Sequence, residues 1–165
     1  MATITELLKN PVGGNPTGLL PLLQQEHGDS FERYNVSPWS FNTTRLNVEG
    51  DGGWRLQSPT PISGEQGGRW NIIGTTWTLW IGKTIPFEAT MSYDEWQIAN
   101  IELHGQIQQT ISRWCNCQAP NLPGGQPRPG SGVLDRKADT STGRANAIRQ
   151  YQILAWSIEN LNVAN

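Results

Sequence analysis

The segment from Arg69 to Lys83 constrains the fold more than any other part of the sequence. Side chains in a β-strand alternate between two faces with a period of two. An extended chain here places Trp77, Leu79 and Ile81 together on an apolar face, whereas the opposite face, which includes Trp80, is amphipathic. This pattern is typical of a central strand whose second face meets a loop, a ligand or another protein surface.

A segment near the C-terminus has the same two-sided character. One of its faces is formed by Leu154, Trp156 and Ile158, and the other by Tyr151, Ile153 and Ala155. A strand that is apolar on both faces belongs in the middle of a sheet or at an interface. We therefore predict that segments 69–83 and 148–158 pair or face one another centrally, with Trp77 pointing inward.

Other β signals surround these two segments. Residues 31–36 and 83–91 are predicted as short strands, and Pro86 makes the second one edge-like. Residues 41–49 and 54–58 flank an Asp-Gly sequence, which is a hairpin signal because both central turn positions need positive φ. Residues 59–68 are predicted as a loop, and Gly74 as the site of a β-bulge. The sequence thus predicts a mainly β fold, an antiparallel β-sandwich or barrel.

The segment from Ser92 to Trp114 has two interpretations. Ser92 and Glu95 fit a capping box at a helix start, and an apolar stripe follows at helical spacing: Trp96, Leu103, Ile107, Ile111 and Trp114. The residues around Gly105 also alternate as in a strand, and Gly in a helix interior costs about 1 kcal/mol relative to Ala. The fold therefore includes either one helix over residues 92–114 or two further strands.

The first 29 residues are predicted to be an N-terminal arm, followed by a single β-rich domain, residues 30–165. Thr3 and Glu6 fit a capping box that opens a short helix. A Pro/Gly-rich stretch ends this helix, and Pro21 interrupts a second apolar cluster, which consists of Leu19, Leu20, Leu22 and Leu23. Two short apolar pieces need a surface to cover them. We expect the arm to dock either on a neighbouring copy or on the chain's own core.

Residues 118–143 are predicted to form a long Pro/Gly-rich loop. It includes Pro123, Pro127 and Pro129. Loops of this length are usually functional or disordered. Because Pro-rich chain loses less entropy when it becomes ordered, this loop suits an arm that reaches onto a partner.

The chain contains eight tryptophans, more than a small core absorbs with every indole N–H satisfied. Trp39, Trp54 and Trp80 lie at turns or on the second face of a strand, so we expect them at the surface. Tryptophans in such places either stack on sugar rings or fill pockets on a neighbouring subunit.

The charge pattern and the polar residues argue against several classes of function. The net charge is −2 and the basic residues are scattered, so we expect no nucleic-acid partner. No apolar run is long enough to span a bilayer and the N-terminus lacks a secretory signal, so we expect a soluble protein without membrane contacts. Cys115 and Cys117 lie at no metal-site spacing from a histidine, and we expect reduced thiols, no metal and no cofactor. Glu88, Glu102 and His104 form no catalytic constellation, so we expect no enzyme.

In general layout, with a small β-rich core and two arms, the chain resembles virion structural proteins of tailed bacteriophages, such as a tail, baseplate or coat subunit. The resemblance covers the arrangement of the whole chain and includes no signature motif, so it implies no particular site residues. It implies self-assembly with symmetric copies or docking to other virion proteins, after synthesis in the host cytoplasm. The Trp, Asn and Gly content leaves one alternative open, a carbohydrate-binding β-sandwich lectin that takes a glycan.

Overall fold

The computed structural model of the protein describes residues 3–9, 18–39, 53–66, 69–88, 90–118, 127–139 and 149–163. Along the chain its elements are helix α1 (Ile4–Lys9), helix α2 (Leu19–Arg33), strand β1 (Gly53–Gln66), strand β2 (Arg69–Pro86), helix α3 (Tyr93–Gln118), strand β3 (Arg128–Asp139) and strand β4 (Arg149–Leu161). Within these residues no helix has the length and hydrophobicity needed to cross a membrane.

The four strands form one antiparallel sheet in the order β1-β2-β4-β3. Strands β2 and β4 are the central pair, with Leu79 opposite Ile158 and Ile81 opposite Trp156. This confirms the predicted central pairing of segments 69–83 and 148–158. A register shift opposite Gly74 also confirms the bulge that was predicted there.

The core lies between one face of the sheet and the helices. Alternate residues of the central strands are fully buried there, namely Leu79, Ile81, Ile85, Leu154, Trp156 and Ile158. Trp77, which was predicted to point inward, is half-buried and packs against this cluster. Burial of each such side chain contributes about 1.5–3 kcal/mol to the free energy of folding. A one-residue slip in register would expose all of them, so the alternating pattern fixes which face of each strand meets the helices.

Helix α3 resolves the ambiguity of the segment after Ser92 in favour of one helix. The hydroxyl of Ser92 accepts the Glu95 backbone N–H at 3.2 Å and caps the first turn. All five residues of the predicted stripe are buried. Their burial outweighs the cost of Gly105, which lies on the exposed side of the helix.

Helix α1 begins with the predicted capping box. Glu6 Oε2 accepts the Thr3 backbone N–H at 3.0 Å, and Thr3 Oγ1 accepts the Glu6 backbone N–H at 3.2 Å. The six-residue helix buries three apolar side chains, Ile4, Leu7 and Leu8.

Helix α2 differs from the sequence-based expectation. Pro21 is the third helical residue, where the backbone N–H has no intrahelical partner, so proline does not break the helix. The helix continues across the predicted arm boundary at residue 29 and ends at Arg33. Asn35, in the turn that follows, has a φ of 57°. The predicted strand over residues 31–36 is therefore wrong, because Phe31 lies on the buried face of this helix.

The fold prediction is confirmed in part: the described strands form an antiparallel sheet, but the described residues are not mainly β and show no sandwich or barrel. They form a single sheet with three helices, an α and β arrangement. The physical reason is that α2 and α3 provide the apolar layer that a second sheet would otherwise supply.

Two predicted loops contain strands. Strand β1 runs through the prolines at 59 and 61 to Gln66, which pairs with Arg69, and an edge strand tolerates proline because some of its N–H groups face outward. Strand β3 occupies much of the predicted loop 118–143.

The predicted strand 83–91 is the end of β2, which stops at Pro86. The predicted strand 41–49 and its Asp-Gly turn lie outside the described residues.

Candidate assembly surfaces

Strands β1 and β2 form a two-stranded ribbon beyond the end of the four-stranded sheet. Strand β4 pairs with β2 only from Trp77 to Pro86. Residues 60–66 of β1 and 69–76 of β2 pair only with each other among the described strands. We call these residues the β1–β2 ribbon. No other strand that the structure describes pairs with its two edges, and an edge of this kind can accept a further strand.

Strand β3 is one edge of the sheet and exposes apolar side chains. Val133 and Leu134 are 38% and 39% exposed. They are consecutive in the strand, so they lie on opposite faces of this edge. Pro129 and a register shift before Gly132 interrupt its pairing near one end, which is a common way to limit association at a sheet edge.

A third surface is the outer side of α3, where Ile98 and Ile101 are exposed. They lie off the predicted apolar stripe, so the sequence pattern did not indicate them. The sequence signal for Ile98 and Ile101 is that they lie on the side of the helix opposite the apolar stripe, where polar residues are expected. Val133 and Leu134 were missed because they follow a Pro/Gly-rich stretch that predicts a loop.

The leucines of the predicted N-terminal arm pack on the chain's own core. Leu19, Leu20 and Leu23 are buried, and Leu22 packs against the same cluster. Of the two docking sites expected for the arm, these leucines therefore occupy the one on the chain's own core.

Trp39 was predicted at the surface but belongs to the core. Its ring centroid lies 5.6 Å from that of Phe31, edge to face, and 6.1 Å from that of Trp156. The turn that carries Trp39 folds back under the helices, so the ring is buried although its backbone lies outside any element.

Trp54 and Trp80 are both half-buried but have different surroundings. Trp54 packs against the core cluster. Trp80 lies on the other face of the sheet, where its indole N–H donates to Gln57 Oε1 at 3.0 Å and the Arg55 guanidinium lies 5.9 Å from its ring centroid. Trp80 therefore remains a candidate interface residue.

The prolines of the predicted loop are separated in the structure. Pro127, just before β3, is buried, and Pro129, within β3, is half-buried. Pro123 lies outside the described residues. Pro127 and Pro129 therefore support an edge strand rather than a free arm.

One polar cluster joins α2 to α3. His27 Nε2 lies 2.8 Å from Thr110 Oγ1, and Arg113 donates both to Thr110 Oγ1 at 3.2 Å and to Glu26 in a salt bridge. Burial lowers the pKa of His27 below its ordinary value, so the imidazole is neutral at neutral pH. These groups satisfy one another between two helices, which is the geometry of a structural cluster.

His104 packs between α3 and the sheet. Its ring stacks on Trp156 at 4.9 Å between centroids, and its Nε2 lies 3.2 Å from the carbonyl oxygen of Ala155. The Trp156 indole N–H donates to the His104 carbonyl at 3.1 Å. A Cβ atom at Gly132 would lie only 2.5 Å from the imidazole, so β3 needs glycine where it passes this ring.

Lys83 is a buried cation in central strand β2. Its ammonium donates to the Ser37 carbonyl and lies 5.0 Å and 5.6 Å from the ring centroids of Trp39 and Phe31. Cation–π contacts of this kind stabilise a desolvated ammonium. Lys83 thereby fixes the turn after α2 to the middle of the sheet.

One depression and the two cysteines are the features of the described residues that bear on ligand or metal binding. A shallow depression of about 200 Å³ lies between α2 and α3, beside Arg33, Tyr34 and Glu102. No group of three or more His, Cys, Asp or Glu side chains is arranged for a metal ion within these ranges. Burial raises the pKa of the Cys115 thiol to about 12, whereas Cys117 is exposed, so the two thiols do not form a matched pair of ligands.

Comparison of the sequence with protein-family models and with characterised proteins gives no match.

Proposed function

We propose that this protein is a non-enzymatic structural subunit that assembles into a larger symmetric complex, as a tail, baseplate or capsid component of a bacteriophage virion. Its partners are copies of itself and other virion proteins. The β1–β2 ribbon is the main support for this role. Among the strands that the structure describes, the ribbon has no third partner. Two paired strands are marginally stable alone in water, so a ribbon of this length favours a covering surface.

The exposed apolar residues support the same role. Val133 and Leu134 lie at a sheet edge, and Ile98 and Ile101 lie on the outer side of the longest helix. Single exposed apolar residues are ordinary, and Val133 and Leu134 lie on opposite faces of β3, so the adjacent pair Ile98 and Ile101 is the stronger of these two supports. The polar side chains that come together, such as His27 and Thr110, connect helices rather than surround a cavity, which favours a structural function over a catalytic one.

Carbohydrate binding is less well supported than assembly. That alternative depends on exposed tryptophan faces, but Trp39 is buried and Trp54 packs on the core. Trp80 has a guanidinium close to its ring and its N–H is already bonded to Gln57.

The assembly role can be tested by shortening the ribbon. Thr60 and Thr76 are directly paired, so residues 61–75 can be replaced by an Asn-Gly turn that reconnects the two strands. Light scattering and negative-stain microscopy should show an assembly for the wild-type protein and a monomer for the shortened one. Both proteins should have the same circular dichroism at helix wavelengths, because the deletion leaves the three helices intact.

The assembly role would be contradicted if the wild-type protein stays monomeric at high concentration and also binds none of the proteins encoded by neighbouring genes. Equal assembly of the shortened and wild-type proteins would assign the contact to another surface. Binding to a glycan array without self-association would favour the lectin alternative instead.

A further inference from the structure

Strand β3 has no neighbour on its outer side among the strands that the structure describes. Its pairing with β4 is regular from Gly132 to Asp139. Val133 and Leu134 point to opposite faces of this strand and are exposed to the same extent, 38% and 39%. A missing neighbouring strand produces this pattern, because a strand added at an edge covers side chains on both faces at once.

Helix α3 runs alongside β4 in the same direction. Near the start of β4, the Phe87 backbone N–H donates to the Gln150 carbonyl at 2.7 Å. The Phe87 ring centroid lies 5.3 Å from that of Trp96, in the first turn of α3. Further along both elements, His104 Nε2 lies 3.2 Å from the Ala155 carbonyl oxygen. Because β3 is antiparallel to β4, α3 is also antiparallel to β3.

These directions place the exposed Ile101 beside the exposed Leu134. His104 packs against Gly132, where a Cβ atom would lie 2.5 Å from the imidazole. Ile101 is one helical turn before His104, and Leu134 is two residues beyond Gly132 on the same face of β3. Both steps run toward the start of β4 and cover similar distances, about 4.5 Å and about 6.6 Å. We call the resulting apolar surface, formed by Ile98, Ile101 and Leu134, the α3–β3 seam.

The outer flank of α3 on the β3 side has the residue spacing of a helix–helix contact. Steps of three and four residues alternate along it, as on the contact face of a coiled coil: Ile98, Ile101, Gly105, Gln108 and Ser112. None of these residues is charged. Glu102 and Arg113 lie on the other flank, where they face α2. The flank beside β3 is therefore suited to a second apolar or polar helix.

We propose that the α3–β3 seam of one copy is covered by the α3–β3 seam of a second copy, an inference that rests on the assembly role proposed above. A two-fold axis perpendicular to the sheet relates the two copies. Their β3 strands pair antiparallel and join two four-stranded sheets, and their α3 helices pack side by side over the junction. The contact is self-complementary, as a two-fold interface must be.

The charges of β3 select the register of this pairing. A two-fold axis of this kind pairs one residue of β3 with its own counterpart. The three residues after Leu134 are charged, so a centre on any of them would put like charges directly opposite each other. Among the uncharged residues before them, Leu134 lies beside Ile101, so this centre pairs both residues with their counterparts. Regular pairing then extends from Gly132 to Arg136 in each copy, short of the irregularity that follows Pro129.

The same axis brings the two α3 helices to a normal packing distance. Neighbouring strands lie about 4.8 Å apart, and the axis passes midway between the two β3 strands. Helix α3 lies above the interval between β3 and β4, because His104 contacts both strands. The two helix axes are then about 10 Å apart, close to the usual separation of about 8–10 Å for packed helices.

Antiparallel α3 helices centred on Ile101 meet without like charges. Ile98 lies opposite Gly105 of the second copy. A Cβ atom added at Gly105 would meet no heavy atom within 4 Å in its own chain, so this glycine leaves room for a side chain from outside. Asp94, one turn before Ile98, lies opposite Gln108 rather than opposite its own counterpart. The pairing therefore covers the exposed isoleucines at no electrostatic cost.

The contact is small, because only a short part of each β3 strand pairs regularly. An interface of this size is weak in isolation. It forms when other contacts of the assembly hold the copies together and raise their effective concentration.

Disulfide trapping in the assembled protein tests this contact. Leu134→Cys in a Cys117→Ser background places a thiol at the two-fold axis. Opposite residues of antiparallel strands have Cα atoms about 4.5–5.5 Å apart, a separation that a disulfide can bridge. Cys115 can remain, because its buried thiol stays protonated and unreactive. Mild oxidation should therefore convert this single variant into linked dimers.

Ser131→Cys in the same background is the matched control, because Ser131 is exposed in the same strand. It lies three residues from the axis, so its two thiols would be about 20 Å apart and should give at most a trace of dimer. Equal yields from the two variants would overturn the contact. A Leu134→Cys variant that does not cross-link, although light scattering detects its assembly, would overturn the contact and leave the assembly role standing. A wild-type protein without any association would remove both.

Charge reversal across the axis provides a second measurement. Ile101→Lys in the Leu134→Cys variant puts two lysines opposite each other, so we expect about tenfold less linked dimer with unchanged circular dichroism. Ile101→Glu should have the same effect. A mixture of the two should recover the yield, because Lys then faces Glu. Gln106→Lys adds a cation to the flank that faces α2 and should cross-link like the parent variant.

The mixture decides whether the two α3 helices face each other. An equally low yield in the mixture and in each separate variant would overturn their pairing. An equal loss of yield in Gln106→Lys would show a general effect of charge on assembly and would also overturn it.

Discussion

His27 Nε2 lies 2.8 Å from the hydroxyl oxygen of Thr110, and this buried hydrogen bond joins α2 to α3. Burial lowers the pKa of His27 from 6.5, Glu26 partly opposes this change, and Arg113 adds to it. The folded protein therefore binds a proton at His27 less readily than the unfolded chain does.

We expect the free energy of unfolding to fall as the pH is lowered below 6.5. Above this pH His27 is neutral in both states and contributes no pH dependence. Below it the unfolded chain takes up a proton that the folded protein excludes, with a slope of at most about 1.4 kcal/mol per pH unit. Urea unfolding between pH 7.5 and 5.5 measures this slope.

The matched variant is His27→Gln, whose amide does not titrate and can still bond to Thr110. Its free energy of unfolding should change less over the same pH range than that of the wild type. The same slope in both proteins would assign the pH dependence to other groups.

Gly105→Ala should raise the free energy of unfolding by about 1 kcal/mol, the difference in helix propensity between the two residues. The added methyl group meets nothing within 4 Å in the folded chain. Gly28→Ala in α2 is the matched control, because its Cβ would lie 2.5 Å from the Gln24 side-chain nitrogen. Gly28→Ala should therefore stabilise the protein less. Thermal unfolding of dilute protein, below the concentration of assembly, compares the two variants.

Lys83→Ala should lower the free energy of unfolding by about 2–5 kcal/mol, because it removes a buried four-carbon stem and leaves a cavity. Lys83→Met retains most of that volume and the contacts with Phe31 and Trp39, although the bond to the Ser37 carbonyl is lost. We expect it to destabilise the protein less than Lys83→Ala. Equal losses in urea unfolding would show that the ammonium, and not the packing of the stem, stabilises this site.

The elements that the sequence predicted well have complete local signals. The Thr3 and Glu6 capping box specifies its own hydrogen bonds. The alternation in residues 69–83 and 148–158 fixes which faces are buried, and the stripe from Trp96 to Trp114 fixes the buried side of α3. Each pattern is contained within one element, so no knowledge of its neighbours is needed.

Helix α2 was missed because its local signals are misleading. Pro21 resembles a helix breaker, but in the first turn it removes no hydrogen bond. The buried side of the helix includes His27 and Gly28 as well as leucines, which weakens the apolar pattern. His27 is buried only because Thr110, 83 residues away, provides its hydrogen bond.

The position of Trp39 could not be predicted for a related reason. Its sequence neighbours, Pro38 and Ser37, indicate a turn at the surface. The ring is nevertheless buried between Phe31 and Trp156, and the contact depends on the packing of α2 on β4. Candidate assembly surfaces were predicted only in part, because exposure of Ile98 or Val133 is known only once the buried sides of α3 and β3 are known.

Trp80 and Trp54 provide the sharpest comparison between assembly and folding, because both are half-buried tryptophans at neighbouring places on the β1–β2 pair. Trp80→Ala removes a ring on the face away from the core, with one exposed hydrogen bond to Gln57. We expect a loss of about 1 kcal/mol in the free energy of unfolding and at least tenfold weaker self-association.

Trp54→Ala should lower the free energy of unfolding more and self-association less than Trp80→Ala does, because Trp54 packs against the core cluster. Truncation of a core-packed tryptophan costs about 2 kcal/mol or more, so its thermal midpoint should fall further than that of Trp80→Ala. Sedimentation measures association, and urea unfolding of dilute protein measures stability. If Trp80→Ala assembles like wild type, or is simply unfolded, the face of the sheet that carries Trp80 is not an interface and association must depend on the ribbon, the β3 edge or the outer side of α3.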